Sequence, residues 1–361
     1  MLTFHPLKVA DVRPEGSDAL CISFEVPDSL REAFRFIPGQ HVGVRAQIGG
    51  QEVRRTYSIC SAADDSHIRI GVRVHDNGSM SQYLANQLRA GDSIEVLTPT
   101  GRFFAEPQPG AARTYCAFAG GSGITPILGI LKNLLAGEPN SRFILFYSNR
   151  TTSTVMFAEE LLALKDRYPT RLSLNFILSR EPQDVELFNG RLDREKVTLL
   201  GKELFDPLDT DAFFLCGPGD MIESVRDTLV GLGVNATRIH TERFASDMPV
   251  SAAVATAARA KPKGAAEEVA KITITMDGRQ RTFAMLDSDA TVLDAAERVG
   301  MELPYSCRAG VCSTCRCKVT SGTADMAVNY ALEPWEVQAG FVLGCQARPT
   351  SREVEITYDE R

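Results

Sequence analysis

Through the first hundred residues apolar and polar side chains alternate in short runs broken by turn residues, as in Leu20-Cys21-Ile22-Ser23-Phe24-Glu25-Val26 and again at 41–45, 67–74 and 93–97. A period of two turns one face of each run inward, and several short strands at this spacing predict an antiparallel β-barrel. A helix is expected to interrupt it over 81–88, where Tyr83, Leu84, Gln87 and Leu88 recur at helical spacing. From Arg113 the rhythm changes. Apolar runs at 114–119, 143–148, 172–178 and 212–216 alternate with helical stretches at 124–135, 157–165 and 221–232, which predicts an α/β domain with a parallel sheet. Residues 246–270, rich in Ala, Pro, Lys and Glu, read as a linker. Beyond them Ile272 to Met276 and then Asp277-Gly278 read as a strand entering a two-residue hairpin turn, the opening of a compact α+β domain. The expected division is a multidomain chain: barrel 1–110, α/β domain 111–245, linker 246–270 and α+β domain 271–361.

The chain has 361 residues and a net charge of −7, so it lacks the concentrated basic surface that binding nucleic acid requires. Charged residues interrupt the first twenty positions, and no run of about 18 uncharged apolar residues occurs. The run Ile124 to Leu135 is broken by Lys132. A soluble, cytoplasmic protein with no membrane partner is expected, and nine scattered cysteines suit a reducing compartment.

Four of those cysteines carry chemistry. Cys307, Cys312 and Cys315 follow C-x4-C-x2-C, and Cys345 comes after 29 intervening residues, the ligand spacing of a plant-type 2Fe–2S ferredoxin, a β-grasp fold. Zinc modules pair short knuckles or use histidine, and the last histidine here is His240. A 2Fe–2S cluster takes one electron, whereas reduced nicotinamide delivers two, so a flavin is expected between them. The barrel segment supplies Arg55-Thr56-Tyr57-Ser58 and, at a helix start, Gly78-Ser79-Met80-Ser81; the α/β segment supplies Gly120-Gly121-Ser122-Gly123-Ile124-Thr125, Cys216-Gly217-Pro218-Gly219-Asp220-Met221 and Glu242-Arg243-Phe244.

In this order the motifs resemble the ferredoxin–NADP reductase superfamily. The resemblance implies that Arg55 neutralises the flavin phosphates, Thr56 and Tyr57 line the isoalloxazine, Ser58 hydrogen-bonds near its N5, and amides around Gly78, Ser79, Met80 and Ser81 meet the pyrophosphate at a helix N-terminus. It implies a nicotinamide nucleotide across Gly120, Gly121, Ser122, Gly123 and Thr125 and across Cys216, Gly217, Pro218 and Met221, with Glu242 helping to orient the nicotinamide and Phe244 stacking on the flavin until displaced. Ser58, Cys216 and Glu242 are then the residues beside the hydride path. Ser148 with Arg150, and Ser179 with Arg180, follow the second and third strands of this domain without an acid first, which favours a 2′-phosphate and hence NADPH.

The whole chain resembles reductase components of bacterial multicomponent oxygenases. The stretches Cys307 to Val319, Asn329 to Pro334 and Gly340 to Gln346 look most like the reductases of the phenylacetyl-CoA epoxidase type; reductases of 3-ketosteroid 9α-hydroxylase are the nearest competitors, and phthalate dioxygenase reductase shares the domain order with FMN and NADH. The resemblance implies FAD, a 2Fe–2S cluster, NADPH as substrate and a terminal oxygenase, of the di-iron phenylacetyl-CoA type, as partner. A stand-alone flavin reductase and a redox-sensing module stay open as alternatives.

Overall fold

The computed structural model describes residues 3–244 and 267–360, which fall into two compact units, one over 3–243 and one beginning at Phe244.

The first unit opens with a six-stranded antiparallel sheet made of β1 (Phe4–Glu15), β2 (Ala19–Glu25), β3 (His41–Ile48), β4 (Gln51–Ser58), β5 (Ile68–Arg73) and β6 (Ser93–Leu97), in the order β4-β3-β6-β1-β2-β5. Its two edges meet. Ile59, just past β4, bridges Ile70 of β5, and the Cys60 amide donates to the Arg69 carbonyl at 2.9 Å, so the sheet closes into the expected barrel. Inward residues such as Leu7, Ile22, Phe24, Val42, Val44, Ile70 and Val96 are wholly buried. Helix α1 spans Ser79–Asn86, starting two residues before the stretch that periodicity marks, because Gly78 already ends the preceding turn.

The second half of this unit is a parallel sheet of β7 (Thr114–Gly120), β8 (Arg142–Asn149), β9 (Leu172–Leu178), β10 (Ala212–Cys216) and β11 (Ile239–Glu242), ordered β11-β10-β7-β8-β9. Between them run α2 (Ile124–Gly137), α3 (Ala158–Arg167), α4 (Arg194–Glu203) and α5 (Gly219–Gly231). The chain proceeds outward from β7 in one direction and then returns to its other side at β10. The gap between the β7 and β10 ends is therefore a topological switch point, where ligands of such sheets bind.

The C-terminal unit is a mixed sheet of β12 (Glu268–Met276), β13 (Arg279–Leu286), β14 (Arg316–Ser321), β16 (Phe341–Leu343) and β18 (Glu353–Thr357), in the order β13-β12-β18-β14-β16, beside a small pair of β15 (Ala324–Met326) and β17 (Ala347–Pro349). Among the described residues it also holds helices α6 (Val292–Arg298) and α7 (Pro334–Gln338). Asp277 and Gly278 both have positive φ, 52° and 70°, as a type I′ hairpin turn requires, and the Asp359 carboxylate accepts both turn amides. Strand β12 begins at Glu268, paired with Leu286, so residues 268–270 belong to the sheet and not to the linker expected there; residues 246–266 of that stretch lie outside the described residues. Among the described residues no helix is long and apolar enough to cross a membrane.

Candidate functional site

The switch point is assembled from loops that need to approach closely. Strand β7 ends at Gly120, a turn over Gly121–Gly123 follows, and α2 starts at Ile124. A side chain at Gly123 would stand 2.1 Å from the Cys216 carbonyl oxygen, and one at Gly120 would stand 2.6 Å from Pro218 Cδ. The two glycine-bearing loops thus interlock backbone to backbone. Tyr147 Oη donates to the Gly121 carbonyl at 3.0 Å and accepts the Met156 amide at 3.2 Å; burial pushes its phenol well above the usual range and keeps it a donor. Thr125 is buried, with Oγ1 on the Ser122 carbonyl at 3.0 Å. Its hydroxyl shapes the turn, and Ser122 is half-buried.

Ser58, Cys216 and Glu242, far apart in sequence, come together. Cys216 and Glu242 are register partners on β10 and β11. Ser58 Oγ, at the end of β4, donates to Glu242 Oε2 at 3.0 Å. Cys216 is fully buried. A further residue joins them that sequence reasoning passed over: His41, the cross-strand partner of Ser58, whose Nδ1 is 3.7 Å from Glu242 Oε1 with both side chains largely buried. Room for the imidazole comes from Gly101, where φ is +118° and a Cβ would meet His41 Nδ1 at 2.8 Å. The signal was available in the alternation of β3 paired against β4, but no spacing rule links position 41 to 242.

Arg55 and Tyr57, two apart on β4, share one side of the strand, the arginine exposed and the tyrosine half-buried; burial holds the Tyr57 phenol protonated, against the lowering influence of Arg55. Thr56 lies between them, half-buried. No side chain caps α1 at Gly78, so the amides of Ser79, Met80 and Ser81 at its first turn suit an anion. The Ser81 hydroxyl is itself spent on the turn, donating to the Gly78 carbonyl at 3.1 Å and accepting the His75 amide at 3.2 Å. These features fit a flavin with phosphates.

At the far side of the parallel sheet the ends of β8 and β9 lie together. The Arg180 amide donates to the Arg150 carbonyl at 2.8 Å, and the Ser179 amide to the Asn149 carbonyl at 3.0 Å. Both arginines are exposed and both serines half-buried. Asp220 and Met221 lie in the first turn of α5, which begins at Gly219 after Pro218, with Met221 packed toward Gly120 and Gly217. Phe244 stands two residues beyond Glu242 and is the last described residue before the 245–266 stretch.

In the C-terminal unit Cys307, Cys312, Cys315 and Cys345 face one another: Cys307 interacts directly with Cys312 and Cys345, and Cys345 with Cys315. None is in a disulfide. A 2Fe–2S cluster takes four thiolates, two on each iron. Arg308, Gly310 and Ser313 have left-handed φ of 53°, 74° and 50°, which curls the loop around the sulfurs. The Ala309 amide donates to Cys307 Sγ at 3.3 Å and Gln346 Nε2 to Cys345 Sγ at 3.7 Å. Thr314 Oγ1 is buried with no protein partner, as suits a donor facing a cluster. Cys317, fully buried, donates to the Val342 carbonyl, and burial pushes its thiol up to about 12; it is core.

Profiles of known families agree with this layout. The oxidoreductase FAD-binding domain matches residues 6–104, the oxidoreductase NAD-binding domain 118–227, and the 2Fe-2S iron-sulfur cluster binding domain 274–350. The class is thus an oxidoreductase with FAD, a nicotinamide nucleotide and a 2Fe–2S cluster. Over its full length the chain is 42% identical to a component of the 1,2-phenylacetyl-CoA epoxidase of Escherichia coli (strain K12), covering 99% of it. It is 31% identical to the ferredoxin reductase component of the 3-ketosteroid-9-alpha-monooxygenase of Rhodococcus rhodochrous, over 98% of this chain and 96% of that one. Phthalate dioxygenase reductase has the same fold, with a TM-score of 0.57 at 21% identity over 98% of each chain. The chain belongs to the family of flavin and 2Fe–2S reductase components of oxygenase systems, and its likeness to the phenylacetyl-CoA epoxidase type runs from end to end.

Proposed function

We propose that this protein is the NADPH-dependent reductase of a phenylacetyl-CoA-epoxidising oxygenase, working in the cytoplasm. The end-to-end likeness to the epoxidase component carries the partner assignment. FAD, when bound, accepts the two electrons of a hydride and gives them up singly to the 2Fe–2S cluster.

The protein's own work is orientation. The chain from Ser58 through Glu242 to His41 fixes a hydroxyl and a carboxylate at the mouth of the switch point, where they would hold the nicotinamide carboxamide beside N5 of the flavin. Cys216, whose carbonyl Gly123 approaches closely, would support that face of the ring. Arg55 would balance the flavin phosphates and the first turn of α1 the pyrophosphate. Phe244 would cover the flavin until the nicotinamide arrives. Preference for NADPH is supported by Arg150 and Arg180, exposed at neighbouring strand ends with Ser148 and Ser179 beside them, a basic pair suited to a 2′-phosphate. Cys307, Cys312, Cys315 and Cys345 would hold the cluster.

The test combines the purified holoprotein with the phenylacetyl-CoA oxygenase complex, NADPH and oxygen, and measures epoxidised CoA ester against NADPH consumed. Near-stoichiometric product supports the reading. NADPH consumption without product refutes this partner and directs the next assay to a ketosteroid hydroxylase.

A further inference from the structure

The last strand delivers a hydroxyl to the cysteine pocket that the fold itself does not use. Thr357 ends β18 paired with Lys318 of β14 on one side and Thr275 of β12 on the other, and the Tyr358 amide continues the ladder to the Thr275 carbonyl at 2.9 Å. That register sets Tyr358 against Cys317, and Cys317 is in turn the partner of Val342 on β16. The phenol therefore reaches across the start of β14, just after Cys315, to the turn just after β16, where Gly344 precedes Cys345. A Cβ on Gly344 would stand 2.4 Å from Tyr358 Oη and 3.4 Å from the Cys315 carbonyl oxygen. The Gly344 amide donates to that same carbonyl at 2.9 Å. A glycine is thus what leaves room for the hydroxyl at the junction of the segments that carry Cys315 and Cys345.

Keeping an oxygen there opposes stability. Tyr358 Oη is buried, and among the described residues no hydrogen-bond partner takes its proton. The Cys317 thiol interacts with the phenol but makes no hydrogen bond of normal geometry with it; it donates its own proton to the Val342 carbonyl at 3.6 Å. A phenylalanine would fill the same space without stranding a donor, so packing does not account for the oxygen. Burial, and after it the neighbouring thiols of Cys317, Cys315 and Cys345, push the phenol well above its usual range and keep it protonated. An anion beside it would offset the cost. A cluster held by four thiolates is anionic and gains one more negative charge on reduction, and a donor fixed beside the ligand sulfurs favours the more negative form.

We propose that the Tyr358 hydroxyl is a donor to the cluster on the side held by Cys315 and Cys345 and raises its reduction potential, which favours transfer from flavin to cluster. The inference rests on the four-cysteine ligand set proposed above. The phenol keeps its proton throughout; the reduced flavin is oxidised by one electron and the cluster is reduced by one.

The experiment is a redox titration of the full-length holoprotein as wild type, Tyr358→Phe and Cys317→Ala. Cluster absorption and the electron paramagnetic resonance signal of the reduced cluster are followed against mediators of known potential, with iron content recorded for each protein. Expected for Tyr358→Phe is a ratio of reduced to oxidised cluster about tenfold smaller at any set potential, a fall of about 59 mV for a one-electron couple, with iron content and flavin potential unchanged. In deuterium oxide the reduced wild type should show a deuteron coupled to the cluster spin that the phenylalanine variant lacks. Cys317→Ala should leave the potential in place. Loss of iron from Tyr358→Phe would make the hydroxyl a structural element of the pocket, and an equal fall in Cys317→Ala would assign it to the thiol; either result overturns the proposal. Wild type purified without the visible absorption of the cluster would overturn the ligand set and this proposal together, whereas a cluster whose potential does not move in Tyr358→Phe overturns the proposal alone.

Discussion

Arg150 and Gly123 mark two kinds of residue whose roles differ in how far sequence reveals them. An arginine just after the second strand of a nucleotide domain is a candidate phosphate ligand on sequence alone, and in the fold Arg150 is exposed directly after β8. Arg150→Ala is expected to raise KM for NADPH about tenfold or more while leaving NADH nearly unchanged, since a charge-assisted contact to the 2′-phosphate is worth about 1.5 to 3 kcal/mol; equal losses for both nucleotides would refute it. Gly123 reads in sequence as a glycine for phosphate approach. In the structure its hydrogen is what lets α2 start against the Cys216 carbonyl. Gly123→Ala is therefore expected to cost stability as well as nucleotide binding, about 1 to 3 kcal/mol or more as in overpacked sites, measured by urea unfolding of the holoprotein. His41 was illegible for a different reason: its partner Glu242 is 201 positions away, and only the joining of barrel edge to β11 makes them neighbours.

Among the elements, strands whose residues are buried on both faces, such as β7, β8 and β10, stood out as apolar runs. The strand β11 and helix α4 did not, because only Ile239 of the first and only Val197 and Leu200 of the second are buried. Alongside apolar contacts such as Phe103 against Phe214, a polar cluster also joins barrel to parallel sheet, and it is silent in a hydrophobic pattern. Arg69 of β5 grips Glu160 of α3 through two hydrogen bonds of 2.9 and 3.2 Å, and Lys132 of α2 pairs with the same carboxylate while donating to the Cys60 carbonyl at 3.1 Å. Burial opposes ionisation of Glu160, but Arg69 and Lys132 outweigh it and hold the carboxyl below its usual range. A carboxylate depressed on folding stabilises the protein above its unfolded pKa of about 4.3 and loses that contribution as pH falls through the lower folded value. Glu160→Gln should accordingly lower stability by about 2 kcal/mol at neutral pH, and the gap from wild type should narrow as pH is lowered below about 4.3. A gap independent of pH in chemical denaturation would show that the carboxylate charge is not what joins the two sheets.

For the molecule as a whole the division of labour follows the chain. Ser58, Cys216, Glu242 and both glycine loops lie within residues 3–243, and all four cluster cysteines lie in the unit that begins at Phe244. Each unit has its own buried core, the C-terminal one built around Ile272, Ile274, Leu293, Leu343 and Ile356. Loss of the cluster should therefore leave hydride acceptance intact, because the residues proposed to flank the nicotinamide and the cluster cysteines belong to separate units. Cys312→Ser removes one thiolate, a harder change than its size suggests, since a serine hydroxyl is a poor ligand for iron and three thiolates cannot complete two on each metal. The expected outcome is a protein that lacks cluster iron and its visible absorption, still bleaches its flavin with NADPH and still reduces ferricyanide, but passes no electrons to the oxygenase. If NADPH no longer reduced the flavin in this variant while the flavin stayed bound, the two centres would be structurally interdependent and the division drawn from the fold would be wrong.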